Sequence, residues 1–172
     1  MSFEGGKTKK GLTVFLRTLS VLLILAAILP VLLLTAPRLA GCQLFDVVSG
    51  SMEPEIPVGS MVFVQAAQPE TLAPGDVIAF QKNGAVITHR VTENDAAAAS
   101  LHTKGDANAE EDLQTVPYGD VIGIVTGHAP FVGYAGRLIT GIYGKMVLVA
   151  LLGLGVLAGH LAGRIKTAAG RP

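Results

Sequence analysis

The sequence predicts a membrane-anchored all-β domain with two transmembrane α-helices, and two observations lead to that prediction. One long apolar run lies near each end of the 172-residue chain, and both have the length of membrane-spanning helices. Between them the sequence consists of short β-branched or alternating segments separated by turn residues, a pattern typical of an antiparallel sheet.

The first apolar run covers residues 18–36, which are 19 positions without a charge. At ~1.5 Å per residue such a helix spans roughly 28 Å, close to the thickness of the hydrocarbon core. Residues 146–163 form the second run, which is shorter and rich in glycine. Lysine and arginine flank the outer ends of both runs, and the positive-inside rule therefore predicts that both termini are cytoplasmic. These basic residues are Lys7, Lys9, Lys10 and Arg17 before the first run and Arg164, Lys166 and Arg171 after the second.

The charge distribution fits the same topology. The net charge is zero, but residues 1–36 carry four basic side chains and one acid, and residues 138–172 carry four basic side chains and no acid. The intervening residues carry twelve acids and five basic side chains. The predicted organisation is a basic tail (1–17), a first span (18–36), an extracytoplasmic β-rich domain (37–137), an interfacial segment with the second span (138–163), and a second tail (164–172).

Five strands are predicted in the middle region, at residues 61–64, 77–81, 85–91, 101–104 and 121–125. Asn83-Gly84 lies between two of these runs and is a strong signal for a two-residue hairpin. Pro74-Gly75-Asp76 and Tyr118-Gly119-Asp120 are further turn signals.

Composition excludes several classes of function. A single cysteine excludes a disulfide framework and any four-cysteine metal site. The absence of tryptophan, with only 5% aromatic residues, argues against a stacking platform for nucleic acid. The acidic middle region would also repel a phosphate backbone. We therefore expect a lipid bilayer as a partner and no nucleic acid, and the sequence sets no expectation for the oligomeric state.

The first candidate for chemistry is the segment Val47-Val48-Ser49-Gly50-Ser51-Met52-Glu53-Pro54. Two serines flank a glycine in a turn that can expose a hydroxyl and leave backbone N–H groups free. A nucleophilic serine needs both features, because free N–H groups stabilise the oxyanion. Taken alone, the same segment also fits a plain turn.

The second candidate is His89, within Ile87-Thr88-His89-Arg90-Val91. Alternate residues of a strand share a face, so His89 is expected to point with Ile87 and Val91. Partial desolvation there favours the neutral imidazole that a general base needs. By itself this position is more typical of a hydrogen-bonded core histidine than of a catalytic base.

The third candidate is the loop from Thr103 to Asp112, which carries Gly105-Asp106 and six further polar or charged positions. Asp106 or Asp112 can orient an imidazole, as the third member of a catalytic triad does. A solvated acidic turn and a weak calcium loop are the alternatives, although the spacing of an EF-hand is absent.

Together and in this order, these segments resemble the conserved boxes of the type I signal peptidases. The resemblance covers Ser49–Pro54, then Gly75-Asp76-Val77-Ile78, then Thr88–Val91, and then Lys104–Asn108 with Asp112. Histidine in the third box is similar to the Ser-His, endoplasmic-reticulum-type branch, which also occurs in archaea and Gram-positive bacteria. Ala107 departs from the family pattern, which often has asparagine there.

The resemblance implies a fold of coiled antiparallel β-sheets and a role for each matched residue. Ser51 matches the nucleophile, His89 the general base, Asp112 the carboxylate that orients it, and Asp106 a supporting or alternative acid. Ser49 matches a position that assists the oxyanion hole. The implied substrates are the signal peptides of secretory preproteins, and no metal or organic cofactor is implied. The implied location is the plasma membrane, with the active site on its extracytoplasmic side.

Three alternatives remain open from the sequence. Leu39-Ala40-Gly41-Cys42 fits the pattern that precedes a lipid-modified cysteine, although Pro37 and Arg38 separate it from the apolar run. A self-processing Ser-Lys protease would use Lys82 or Lys104 as its base. A membrane-anchored assembly or binding protein would use the Ser-Gly-Ser turn only as structure.

Overall fold

The computed structural model describes residues 4–169 and the side chains of residues 9–167. Arg171 and the side chain of Lys7, which contribute to the predicted charge pattern, lie outside the described residues. The chain divides into two compact units, one made of residues 1–34 with 138–172 and one made of residues 35–137. The helices are α1 (Glu4–Leu39), α2 (Val132–Thr140) and α3 (Ile142–Ala169).

The helical unit contains two helices that are long and apolar enough to cross a bilayer. The candidate spans are Lys9–Leu39 in α1 and Ile142–Thr167 in α3. Large apolar side chains along both are exposed, as lipid-facing residues are in the absence of lipid. The prediction of two transmembrane helices is confirmed, and each helix is longer than the apolar run that predicted it.

Small residues bring α1 and α3 together. The Ser20 hydroxyl donates a hydrogen bond to the carbonyl oxygen of Gly155 over 2.7 Å. A Cβ at Gly155 would lie 2.8 Å from Cγ1 of Ile24, and one at Gly159 would lie 2.9 Å from the Ser20 hydroxyl. The glycines that the sequence places in the second span therefore permit close helix packing, as small residues commonly do in membranes.

The second unit is built on one antiparallel sheet, whose seven strands in the described residues confirm the all-β prediction. Along the sheet the order is β1-β2-β7-β3-β4-β5-β6. Register shifts in the β2–β7, β3–β7 and β4–β5 pairs are bulges, which increase twist and let a single sheet curl. The strands are β1 (Cys42–Asp46), β2 (Met61–Gln65), β3 (Val77–Lys82), β4 (Ala85–Asp95), β5 (Ser100–Lys104), β6 (Val116–Pro117) and β7 (Val121–Ala129).

The β3–β4 hairpin places His89. Asn83 and Gly84 both have positive φ, 52° and 79°, as the two-residue turn predicted from their sequence requires. The register pairs Ile78 with His89. On its other edge, β4 pairs with β5 only from Arg90 onward. Among the described residues, the first half of β4 is therefore paired with a strand on one edge only, the edge facing β3.

The sheet buries apolar residues in two clusters. One contains Val47, Met52, Ile56, Val62, Val64 and Ala79. The other contains Leu72, Ile78, Phe80, Val91, Leu101 and Val116. Val47 and Met52, which lie on either side of Ser51 in the sequence, belong to the first cluster. Their burial holds the loop that contains Ser51 against the sheet.

The five predicted strands are present, and the structure adds elements that the sequence patterns did not indicate. β1 and the two-residue β6 are short edge strands. α2 begins inside the segment predicted to be β-rich and continues past residue 137. Its two glycines at positions 133 and 136 weaken the helical pattern in the sequence, but both are buried and permit close packing.

Candidate active site

Ser51 lies in a loop between β1 and β2 whose two ends are hydrogen-bonded together. The Val47 N–H donates to the Ser60 carbonyl over 2.9 Å, and the Gly59 N–H donates to the Val47 carbonyl over 2.8 Å. Met52, immediately after Ser51, is 1% exposed. The burial of Met52 and the hydrogen bonds that join the two ends of the loop therefore hold Ser51 at a fixed place on the sheet.

Two groups that an acyl-transfer site needs meet in this loop. The hydroxyl oxygens of Ser49 and Ser51 are 3.5 Å apart. Within the described part of the chain, nothing accepts a hydrogen bond from the Ser51 backbone N–H. A free N–H beside a hydroxyl is the arrangement that an oxyanion hole uses.

His89 is buried in β4, with its ring 10% exposed. Its Nδ1 lies 2.6 Å from Oδ2 of Asp112. The ring also meets Phe80 edge-on, with centroids 6.2 Å apart and planes inclined by 68°. A neutral imidazole that donates from Nδ1 to a carboxylate keeps Nε2 free to accept a proton.

Asp112 is held by Thr103 as well as by His89. The Thr103 hydroxyl donates to the same Oδ2 over 2.7 Å, and the Asp112 N–H donates to the Thr103 carbonyl over 2.9 Å. Thr103 is 1% exposed, so this hydroxyl has little access to water. The carboxylate thus receives two hydrogen bonds on one oxygen and is fixed in direction.

Asp106 contacts a different residue, Arg90. Arg90 donates from Nε to Oδ1 over 2.8 Å and from Nη2 to Oδ2 over 2.7 Å, which is a bidentate pair. Its Nη1 donates to the carbonyl oxygen of Gly75 over 2.8 Å. The hydrogen bond to Asp106 raises the pKa of the Arg90 guanidinium, an effect that burial opposes and the charges of Asp106 and Glu55 support.

The loop that carries both aspartates is attached to the backbone of Ser51. The Ala107 N–H donates to the Ser51 carbonyl oxygen over 2.8 Å. A Cβ at Gly105 would lie only 2.7 Å from that same oxygen, so only glycine allows this approach. The positions of Ser51 and Asp112 are therefore coupled through a short stretch of backbone.

A cleft of about 180 Å³ opens beside Ser51. The loop residues Val47 to Met52 line one side of it, and the first residues of β4, from Ala85 to Thr88, line the other. No direct hydrogen bond joins Ser51 to His89 within the described residues. Catalytic hydrogen bonds are often long in unliganded enzymes and tighten when substrate binds.

The other candidate side chains lie elsewhere. Lys82 ends β3 at the hairpin, and Lys104 pairs with Arg90 across the β4–β5 ladder. Neither lysine has a hydrogen bond to Ser51 among the described contacts. Cys42 is a free, partly buried cysteine in β1, and Nδ1 of His102 lies 4.0 Å from a carboxylate oxygen of Glu111.

Sequence reasoning missed three residues that shape this site: Thr103, Arg90 and Gly105. Strand alternation offered a signal for Thr103, because it shares the buried face of β5 with Leu101. Arg90 lies next to His89 in the segment Ile87–Val91, but nothing local in the sequence indicates its pairing with Asp106. The sequence contains no local signal for the approach of Gly105 to the Ser51 carbonyl.

Comparison with known proteins identifies a matching family and similar relatives. Residues 29–126 match the family model described as Peptidase S24-like. The signal peptidase complex catalytic subunit SEC11 of Ogataea parapolymorpha is 37% identical over 134 residues, covering 64% of this chain and 76% of that protein. The SEC11 subunits of Candida dubliniensis and Zygosaccharomyces rouxii are 34% and 35% identical, and each match covers 64% of this chain and 74% of the relative.

Proposed function

We propose that this chain removes signal peptides from secretory preproteins by a Ser-His-Asp mechanism. The chain belongs to the family described as Peptidase S24-like, and its SEC11 relatives place it among the type I signal peptidases, which are serine-type peptidases. The single observation that carries the mechanism is the 2.6 Å contact between His89 Nδ1 and Asp112 Oδ2. A partly buried carboxylate on one ring nitrogen leaves the other ring nitrogen to act as the base.

In the proposed reaction, His89 accepts the hydroxyl proton of Ser51 as the Ser51 oxygen attacks the scissile carbonyl carbon. The Ser51 N–H and the Ser49 hydroxyl donate to the oxyanion of the tetrahedral intermediate. His89 then gives its proton to the departing amine of the mature protein. Water, activated by the same imidazole, finally releases the signal peptide from Ser51.

Asp112 is proposed to be the third member of the triad. Its carboxylate fixes the ring orientation and stabilises the imidazolium that forms when His89 takes the proton. Asp106 is proposed to act only as a support, because both of its carboxylate oxygens are engaged by Arg90.

The exposed edge of β4 is proposed to bind the substrate backbone. Ala85–Thr88 pair with β3 on one edge and face the cleft beside Ser51 on the other. An extended peptide that adds there as a strand gains main-chain hydrogen bonds without requiring a particular sequence. The resemblance to the type I signal peptidases supports small residues at the −1 and −3 positions of the cleavage site, which would lie in the cleft beside Ser51.

The proposed location is the plasma membrane, with residues 37–137 on the extracytoplasmic side and both termini in the cytoplasm. The basic residues outside the two spans and the acidic excess between them support this topology. Ser51 follows α1 by only 12 residues, so the reaction takes place near the membrane surface. A signal peptide presents its cleavage site there, directly after its own apolar segment.

The proposed function is tested by cleavage of a model preprotein in liposomes that contain the full-length protein. Wild type is expected to release the mature product, and His89→Ala is expected to release none. His102→Ala is the matched control, because His102 lies on the neighbouring strand β5 and its Nδ1 is 4.0 Å from the exposed Glu111 carboxylate. Equal loss of product with both histidine variants would contradict the assignment of His89.

A further inference from the structure

The unpaired edge of β4 stops where β5 begins. Ala85–Thr88 pair with β3 alone among the described strands, and the first β5 partner on the other edge is Lys104, opposite Arg90. A peptide strand that pairs with Ala85–Thr88 therefore lies in line with β5, end to end with it. At that end the peptide meets the loop that leaves the sheet at Gly105.

Ser51 lies at the same end of its cleft. The Ala107 N–H donates to the Ser51 carbonyl oxygen over 2.8 Å, and a Cβ at Gly105 would come within 2.7 Å of that oxygen. From Ser51 the cleft extends along Ala85–Thr88, where the −1 and −3 residues of the substrate are proposed to lie. The residues that follow the scissile bond must then pass over the loop that begins at Gly105.

A second, more open cleft lies along this loop. Its lining includes Asn108, Asp112 and Gln114 on the loop and Lys82 at the end of β3, and it shares no residue with the cleft beside Ser51. Asp112 also contacts His89. The second cleft therefore adjoins the proposed catalytic groups and provides an exit for the part of the substrate that becomes the mature protein.

Asn108 presents an unused hydrogen-bond donor at this exit. Its backbone N–H donates to the Gly105 carbonyl over 3.0 Å, whereas its side-chain amide has no hydrogen bond among the described contacts. Nδ2 lies 2.8 Å from the point that a Cβ at Gly105 would occupy, and the Ser51 carbonyl oxygen lies 2.7 Å from the same point. The amide is thus close to the main chain of the proposed nucleophile.

The loop holds Asn108 between two fixed positions. Before it, Asp106 forms the bidentate pair with Arg90. After it, the Asp112 N–H donates to the Thr103 carbonyl over 2.9 Å. A donor on a loop that is already ordered loses little conformational freedom when a ligand binds.

We propose that the loop from Gly105 to Asp112 binds the first residue of the mature protein, and that Asn108 Nδ2 donates a hydrogen bond to the main-chain carbonyl oxygen of this +1 residue. This inference rests on the proposed function of Ser51. The contact holds the departing amine beside His89, which must give it a proton. Because a main-chain carbonyl is the acceptor, the contact sets no requirement for the side chain at +1.

The contact is tested with two peptides that share one signal-peptide sequence up to the −1 residue. One continues as a glycinamide and the other as a propylamide, so the leaving groups have similar length but only the first has a +1 carbonyl. Both release the same carboxylic acid, which is quantified by mass spectrometry. The enzyme is the full-length protein in liposomes, as wild type, as Asn108→Ala and as the control Gln43→Ala, which removes an exposed amide of β1 that lines neither cleft.

Asn108→Ala is expected to cleave the glycinamide peptide about tenfold more slowly than wild type, the effect of one lost hydrogen bond. On the propylamide peptide it should match wild type, and Gln43→Ala should match wild type on both. Equal slowing of Asn108→Ala on the two peptides would show that Asn108 only supports the loop, and wild-type rates on both would show that it makes no contact; either result overturns the proposal. Absence of cleavage of both peptides by wild type would instead contradict the proposed function.

Discussion

Oδ2 of Asp112 lies 2.6 Å from Nδ1 of His89, while Asp106, six residues earlier in the same loop, is paired with Arg90. The two acids that the sequence left as alternatives thus have different partners in the fold. Asp112 is joined to the proposed base, and Asp106 is joined to an arginine on the strand that carries that base. The difference leads to separate predictions for the two residues.

Replacement of Asp112 by asparagine should nearly abolish cleavage. The amide fits the same space but cannot stabilise the imidazolium, and such a change costs roughly 10⁴ in rate in a serine-protease triad. Glu110→Gln and Glu111→Gln remove neighbouring charges from exposed positions and should cleave at near the wild-type rate. Initial rates on a model preprotein, with folding checked by protease resistance, distinguish a specific role from a general charge effect.

Replacement of Asp106 by asparagine should mainly reduce stability. It weakens a bidentate pair whose arginine side chain is 34% exposed, so we expect a loss of about 1–2 kcal/mol, less than for a fully buried pair. Thermal unfolding of the purified full-length protein measures this loss, and catalysis should persist at temperatures where the variant is folded. A folded but inactive Asp106→Asn beside an active Asp112→Asn would reverse the assignment of the two acids.

Thr103 should act through its hydroxyl. Thr103→Val keeps the volume and removes the hydrogen bond to Asp112, so kcat should fall about 10- to 100-fold, as expected for a hydrogen bond to a charged group. Thr103→Ser keeps the hydroxyl and should retain most of the activity, and KM should change little in either variant. A serine variant more impaired than the valine variant would show that Thr103 matters only for packing.

Protease added to intact cells should reach residues 37–137 and spare both termini. The basic residues outside the two spans should keep the ends in the cytoplasm, and the acidic excess lies between the spans. A tag after Pro172 that is digested or labelled from outside the cell would rule out the two-span topology.

The sequence predicted the elements whose pattern is local and missed those that depend on tertiary contact. Alternation and Asn83-Gly84 located the β3–β4 hairpin, and with it the buried side of His89. β1 was not predicted because its strand conformation depends on its pairing with β2, a tertiary contact. α2 was not predicted because glycine is a poor helix former in isolation. In the fold, Gly133 of α2 donates a hydrogen bond to the Gly59 carbonyl, a contact that the sequence pattern does not show.

The same distinction between local pattern and tertiary contact applies to the residues of the candidate site. Ser51, His89 and the two acids were selected as candidates from residue type and order, together with the family resemblance. The choice between Asp106 and Asp112 depends on which carboxylate contacts His89 and which contacts Arg90, and no spacing rule in the sequence supplies that. Thr103 and Gly105 take part through contacts with Asp112 and with the Ser51 carbonyl, which exist only in the folded loop.

The most direct test of the account is preprotein cleavage by Ser51→Ala in liposomes, with Ser49→Ala as the matched variant from the same turn. Loss of the nucleophile should remove cleavage entirely, a fall on the order of 10⁶ in kcat in a comparable serine protease. Ser49→Ala should retain measurable activity, because the Ser51 backbone N–H remains as an oxyanion donor. Cleavage by Ser51→Ala at the wild-type rate, from protein shown to be inserted and folded, would contradict the assignment of Ser51 as the nucleophile.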